Sequence, residues 1–339
     1  MAMKTAFAGI DVSAAESVVT VLRNGKPGKP KTFGNTPEGH AALIKYLNPD
    51  KRRIRVCIEA TGTYHLDLAV ALSGAGGIEV MVMNPKAVKN FAQALMLRTK
   101  TDAADAALLA EIAQLIDYKK EFEVWQAPGE AVLELRGCAR RLTELSRQKA
   151  RVKNQLHALE ATRLTPVAVL QSVKEDIAHL EAQIAALEKH AVETVENDEE
   201  VKQAYELLTS VKGIGKASAI SILGELLVLP DGMTARQWVA HAGLDPREYS
   251  SGSSVNKKPR LTKAGNRHLR CALFMPALSA IRYSPHVNAF YRHLTDDLGK
   301  KKMQAICAVM RKLLHAVHGM LKSNRPFDGA KFYAAPANA

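Results

Sequence analysis

The sequence predicts an α/β domain, then a helical hairpin, then a mainly helical domain. Three observations predict this. Strand and helix signals alternate over residues 4–116, apolar residues recur at coiled-coil spacing over 142–195, and apolar-periodic stretches punctuated by glycine run from about residue 198 onward. A chain of 339 residues suits two domains, since domains commonly run to ~150 residues. Hydrophobic residues make up 47% and charged residues 24%, the composition of a globular chain with a real core.

The first domain opens as a β-meander. Residues 5–10 are a short apolar run ending in Asp11, residues 17–22 form a second strand, and residues 31–33 a third after the turn-rich Asn24-Gly25-Lys26-Pro27-Gly28. Thr36-Pro37-Glu38 starts a helix: a Thr N-cap, proline at the first helical position, and an acid at the positive end of the dipole. Residues 54–58 read as a strand ending in Glu59. A helix over 64–72, a strand over 79–83, and helices over 86–95 and 102–116 follow. A meander followed by β-α units makes a mixed sheet flanked by helices.

In the middle, Leu142, Leu145, Val152, Leu156 and Leu159 recur at intervals of three, seven, four and three, and Ile177, Leu180, Ile184, Leu187 and Ala191 alternate three and four. Two such helices broken at Thr165-Pro166 predict an antiparallel coiled-coil hairpin, either packed on its own domain or projecting as an arm or oligomerisation surface. Farther on, residues 207–227 contain Val211-Lys212-Gly213-Ile214-Gly215-Lys216-Ala217, and residues 238–244 lead into a polar, serine-rich loop. Two more helices are predicted near 266–281 and 303–321. The expected boundaries are 1–128, 129–197 and 198–328, with 329–339 a loose tail.

Charge is unevenly distributed. The formal net charge is +13, and between Ser251 and Arg325 fifteen Lys/Arg face only Asp296 and Asp297, so the rest of the chain is neutral. One basic quarter on a neutral body suits a polyanion, above all nucleic acid. No apolar run approaches the ~20 residues of a membrane-spanning helix. Met1-Ala2-Met3-Lys4-Thr5 lacks a signal-peptide pattern, so the chain is expected in the cytoplasm, near the nucleoid. Cys57, Cys138, Cys271 and Cys307 lie far apart, which argues against a disulfide scaffold and a thiolate zinc site.

Four acids are the first candidates for chemistry. Asp11 and Glu59 end strands that a sheet of this kind makes neighbours, and Asp102 and Asp105 stand at i,i+3 on one helix. Thr101 and acids in a first turn can simply cap a helix. Yet Asp105 aligns with Leu108, Leu109, Ile112 and Ile116, and Asp102 with Asp105 and Leu109, so both acids point along the buried stripe. Carboxylates aimed at a core need a partner. Mg²⁺ (or Mn²⁺) takes oxygen ligands and, as a pair, clamps a phosphodiester.

Gly213-Ile214-Gly215 between Lys212 and Lys216 is helix-hairpin-helix-like: glycines allow close approach, and N–H groups at a helix start bind phosphate. The plainer reading is a helix–helix turn. The serine-rich loop stands before Lys257, Lys258, Arg260, Lys263, Arg267 and Arg270, which supply positive charge for a reacting phosphate; the loop itself does not single out one serine. His315 and His318 lack a third ligand nearby and read as a helix face, and Lys300-Lys301-Lys302 as a solvated turn.

Taken together, the segments resemble one family over nearly the whole chain: the DEDD transposases of bacterial insertion sequences (insertion-sequence family one-ten), bridge-RNA-guided serine recombinases. The resemblance rests on Gly9-Ile10-Asp11, Ile58-Glu59-Ala60-Thr61-Gly62-Thr63-Tyr64, Asn84-Pro85, and Arg98-Thr99-Lys100-Thr101-Asp102-Ala103-Ala104-Asp105-Ala106. It continues in Gly213-Ile214-Gly215, Ala242-Gly243-Leu244-Asp245-Pro246, Ser251-Gly252-Ser253-Ser254 and Lys263-Ala264-Gly265-Asn266. It implies a RuvC-type, RNase H-like domain with Asp11, Glu59, Asp102 and Asp105 as the Mg²⁺-binding tetrad. A helical transposase domain would carry Ser251 as the nucleophile, which matches two residues after Tyr249 and directly before Gly252. It further implies a covalent phosphoserine, a noncoding bridge RNA that pairs with double-stranded donor and target DNA, and homo-oligomers from dimer to tetramer with a composite site. Two other readings compete: a RuvC-type metal-dependent nuclease in which Ser251 is incidental, and a nucleic-acid-binding protein without catalysis. A sugar-kinase or actin-like ATPase also begins with a strand and a Gly-Ile-Asp turn, but the sequence has no second glycine-rich phosphate loop.

Overall fold

The computed structural model describes residues 6–23, 25–47, 53–118, 121–251 and 255–334. The chain divides into two compact units after Ala127.

The first unit is a mixed sheet with helices on both faces. β1 (Ala6–Val12) runs antiparallel to β2 (Glu16–Arg23) and parallel to β5 (Ile54–Glu59), and β5 is parallel to β6 (Ile78–Met83). β2 also pairs with β3 (Lys26–Pro27) and β4 (Lys31–Gly34) at different ends of its outer edge. The order β3-β2-β1-β5-β6 with β2 reversed is the mixed sheet that the sequence predicts. Strand β3 falls inside the predicted turn: Gly25 takes φ +75°, and Gly28 N donates to Val21 O, folding the chain back on β2.

Alternation along the strands sorts the core. Ala8, Ile10, Val12, Val56 and Ile58 pack with Leu43 of α1 (Pro37–Leu47) and Leu68 and Leu72 of α2 (Leu66–Ser73). Phe7, Cys57 and Met81 face the other way, onto Val88 of α3 (Pro85–Ala94) and Leu108, Leu109 and Ile112 of α4 (Asp102–Tyr118). Gly9 lies on this second face, where a Cβ would stand 2.2 Å from Ala106 O and 2.3 Å from Ala110 N. Only glycine lets α4 cross β1 this closely.

The second unit begins with two long helices, α5 (Glu130–Glu160) and α6 (Val167–Glu196), joined by residues 161–166. Their pairs read antiparallel: His190 with Glu134 at 2.8 Å, Lys153 with Glu181 at 2.9 Å, and Lys174 with Glu160 at 3.4 Å. The base of this hairpin shares the unit's main core through Leu135, Leu142, Leu145, Ile184 and Val195, so residues 129–197 do not stand apart as a separate layer. Toward the bend, Leu164 and Val167 are exposed.

Helices α7 (Glu199–Thr209), α8 (Lys216–Leu226) and α9 (Ala235–His241) follow. The expected serine-rich loop is instead an antiparallel hairpin, β7 (Pro246–Ser251) with β8 (Val255–Leu261), Ser250 opposite Asn256. It carries polar residues on both faces, so no hydrophobic period announces it. The helix predicted over 266–281 divides at Leu273 into α10 (Arg267–Ala272) and α11 (Phe274–Tyr283), and α12 (Pro285–Arg292) leads through a π-helical turn at His293–Asp297 toward α13 (Lys302–Ser323).

The tail expected to be loose from 329 is ordered at its start. Gly329–Phe332 form α14, Phe332 is buried, and Lys312 Nζ lies 4.2 Å from the Phe290 ring centre and 5.2 Å from that of Tyr333. Cation–π attraction and apolar burial hold these residues down; residues 335–339 lie outside the described residues. Among the described residues, no helix is long and apolar enough to cross a membrane.

Candidate active site

The acids meet because of strand alternation and the Gly9 crossing. Asp11 is two residues beyond Gly9 on β1, and Glu59 two beyond Cys57 on β5, so both carboxylates leave the face that carries α4. Parallel pairing of Ile10 with Ile58 sets them at the same edge. Asp102 and Asp105 occupy the first turn of α4, where Thr101 Oγ1 accepts from Ala104 N at 3.2 Å. Capping therefore operates here, and the acids still turn toward the sheet: Asp105 is half-buried, Asp102 exposed.

Electrostatics report the convergence. The Asp11 carboxyl is pushed up from 3.8 to about 6, first by burial and then by the charges of Asp102, Asp105 and Glu59. Asp105 is raised too, by burial and by Asp102, against the pull of Lys100. Thr61 Oγ1 donates to Glu59 Oε1 at 2.8 Å and orients it. Beneath Glu59, burial and the Glu59 charge push the Cys57 thiol up to about 12, so it is inert. Among the described residues no three His, Cys, Asp or Glu side chains are gathered tightly enough to hold one ion. The donor types still suit a hard divalent cation: Asp11, three further carboxylates whose charges act on it, and a hydroxyl that orients Glu59.

Ser251 ends β7, and its side chain lies outside the described residues, as do Gly252, Ser253, Ser254 and the side chain of Lys257. Ser250, Lys258, Arg260, Lys263 and Arg267 are exposed around this hairpin. Arg270 departs from the expected free phosphate contact: it is half-buried and its Nη1 donates to Ala242 O at 2.8 Å. Lys212 and Lys216 are exposed on either side of the glycine turn. Gly213 takes φ +114°, and a Cβ there would meet Ala280 N at 2.5 Å, so it seats the turn on α11; Gly215 caps α8 with open space around it. His318 donates to Met233 O at 2.9 Å and meets Trp238 edge-on, a packing role.

Sequence reasoning missed Glu225, buried on α8 and hydrogen-bonded by Arg140 and Asn266. The readable signal was a lone acid inside the apolar run Ile222-Leu223-Gly224-Glu225-Leu226-Leu227.

Residues 8–160 match a family described as transposase, and residues 205–292 match the transposase IS116/IS110/IS902 family. The pilin gene-inverting proteins of Moraxella bovis and Moraxella lacunata are each 32% identical over 308 residues, covering 88% of this chain and 90% of theirs. An uncharacterised protein of insertion element IS110 from Streptomyces coelicolor is 31% identical over 163 residues, 47% of this chain and 36% of that one. Among solved structures, T. thermophilus RuvC in complex with a Holliday junction substrate overlaps 35% of this chain and 98% of that chain, at 16% identity and a TM-score of 0.27. On the long matches to its relatives, the chain belongs to the IS116/IS110/IS902 family of transposases.

Proposed function

We propose that this transposase cuts and rejoins DNA through a covalent phosphoserine at Ser251, with Asp11, Glu59, Asp102 and Asp105 holding Mg²⁺ or Mn²⁺. The observation that carries the reading is the carboxylate convergence: burial first, and then the charges of Asp102, Asp105 and Glu59, hold the proton on Asp11 to about pH 6. Bound there, a divalent cation would supply Lewis-acid stabilisation of charge on the reacting phosphate.

In the proposed step Ser251 Oγ loses its proton and attacks the phosphorus of a phosphodiester. The bond to one deoxyribose oxygen breaks, and that oxygen takes a proton. Attack by a hydroxyl of a different strand end reverses the step and frees the serine. Bond energy is conserved, so no nucleotide triphosphate is needed. The Moraxella relatives are named for inverting a gene, and an inversion demands that every cut strand be rejoined. Lys258, Arg260 and Arg267, exposed near the hairpin, neutralise phosphate charge without reading sequence. Sequence choice belongs, in this reading, to a noncoding RNA paired with donor and target duplexes, and the working species is a dimer or tetramer.

The test is an adduct assay. The protein, Mg²⁺, duplexes carrying the joined element ends and the target, and RNA transcribed from the element's flanks are combined, then denatured. We expect a protein–DNA adduct that Ser251→Ala and Asp11→Ala each abolish. The acidic cluster alone would also serve a RuvC-type nuclease, and metal-dependent cuts that persist without adduct in Ser251→Ala would establish that reading instead.

A further inference from the structure

The β7–β8 hairpin is polar and exposed along its middle, so its direction is set at its root. There, Thr262 makes two hydrogen bonds to Asp245, N to O at 3.0 Å and Oγ1 to Oδ1 at 2.7 Å, and Lys263 N donates to Gly243 O at 3.2 Å. Gly243 and Gly265 have φ of +64° and +130°. A Cβ on Gly265 would stand 2.2 Å from His241 O, and one on Gly243 would stand 2.9 Å from Ala264 O. The segments entering β7 and leaving β8 interlock with no room for a side chain.

Glu225 fastens this lock to the core. It is 1% exposed on α8, and it accepts from Arg140 Nε at 2.6 Å, Arg140 Nη2 at 3.1 Å and Asn266 Nδ2 at 2.7 Å, with Arg136 Nε at 3.7 Å. Burial pushes its carboxyl up, and the hydrogen bonds from Arg140 and Asn266 with two arginine charges more than reverse this. Asn266 uses its other atoms equally fully. Its Oδ1 caps α10 by accepting from His268 N and Leu269 N, and its own N–H donates to His241 O at 2.6 Å. One residue thus joins α8, the end of α9 and the start of α10, just beyond β8.

A buried carboxylate is costly, and an apolar side chain would fill this position of an apolar helix without that cost. What the charge adds is direction: its amide partner is the residue that closes the hairpin root. We propose that Glu225 and Asn266 are positioning residues that fix the root of the β7–β8 hairpin and so aim Ser251 at the phosphodiester. This rests on Ser251 being the nucleophile. A misplacement of about 1 Å costs such a reaction on the order of 100-fold.

The test uses the full chain in the adduct assay, with hydrogen exchange as a second readout. Asn266→Ser keeps an oxygen to cap α10 and loses the amide that reaches Glu225. Adduct formation at saturating DNA should slow by about 10- to 100-fold, with DNA affinity nearly unchanged and exchange accelerated across residues 243–266. Asn266→Asp sets two carboxylates together and should be as slow. The double variant Glu225→Gln/Asn266→Asp reverses the hydrogen bond at constant charge and should recover most of the rate. Wild-type rate and wild-type exchange in Asn266→Ser would overturn the proposal, as would a double variant no faster than Asn266→Asp. Ser251→Ala separates the two ideas: an adduct that survives it removes the nucleophile, while the exchange of Asn266→Ser still decides whether the lock exists.

Discussion

Asp11 shows how a single side chain sets function against stability. Its carboxyl titrates near pH 6 in the folded chain, against 3.8 ordinarily, so between those values the folded state binds more protons than the unfolded. Stability contributed at this position is therefore present at low pH, lost as pH rises from about 4 to about 6, and level above. Asp11→Asn removes the repelled charge. With half-burial discounting the full shift, we expect a gain of about 1 kcal/mol in chelator at pH 7.5. Thermal unfolding checks this: the gap to wild type should narrow at pH 5. Mg²⁺ at millimolar concentration should raise the Tm of the wild type more than that of the variant. The four acids themselves were legible in the sequence, because two end strands and two share a helix stripe. The depth of the coupling was not, since it depends on how closely α4 approaches β1.

That approach belongs to the scale of elements. Gly9→Ala would drive a methyl group into the α4 backbone, where neither partner can yield. We expect a loss of about 3 kcal/mol or more, read as a fall in Tm, with weaker cation binding because α4 carries two of the acids. The glycine turn divides in the same way. Gly213→Ala meets the Ala280 backbone and should destabilise, whereas Gly215→Ala enters open space at negative φ and should leave folding within about 1 kcal/mol. Because alanine keeps the N–H and adds only a methyl group, a loss of DNA affinity in Gly215→Ala at unchanged Tm would show that DNA approaches this backbone closely, and unchanged affinity would leave the turn a structural one. The longer strands of the first sheet were readable because they alternate between two buried faces or are bounded by turn residues, whereas the two exposed residues of β3 read as part of a turn. The β7–β8 hairpin was not readable, because Glu248, Tyr249, Ser250, Asn256 and Lys258 are all exposed and no buried face writes a period. The α10–α11 break was hidden for the opposite reason: both helices bury apolar residues, Leu269 and Ala277 among them, so the period runs through it.

For the molecule as a whole, charge asymmetry is the property with the plainest consequence. The basic quarter of the chain predicts DNA affinity that falls steeply with salt, and neutralising Lys258, Arg260 and Arg267 together should lower the log–log salt slope by about one for each phosphate no longer neutralised. Binding titrations at several salt concentrations measure it; an unchanged slope would move the DNA-binding surface elsewhere. The basic quarter was legible from composition, whereas the sequence set residues 129–197 apart and the second unit takes them into its core. The seat of the tail was not legible, since a four-residue helix has no period, and only Phe332 packing beside Phe290 and Lys312 reveals it. That seat has a consequence for synthesis. Unit 1 has all of its residues once the chain passes Ala127, while unit 2 must wait for Phe332 to emerge before its core can close. A message cut short before codon 332 would yield a chain whose sheet can fold, but whose second unit lacks its last wedge. Premature termination would thus spoil the second unit and leave the acids of the first intact.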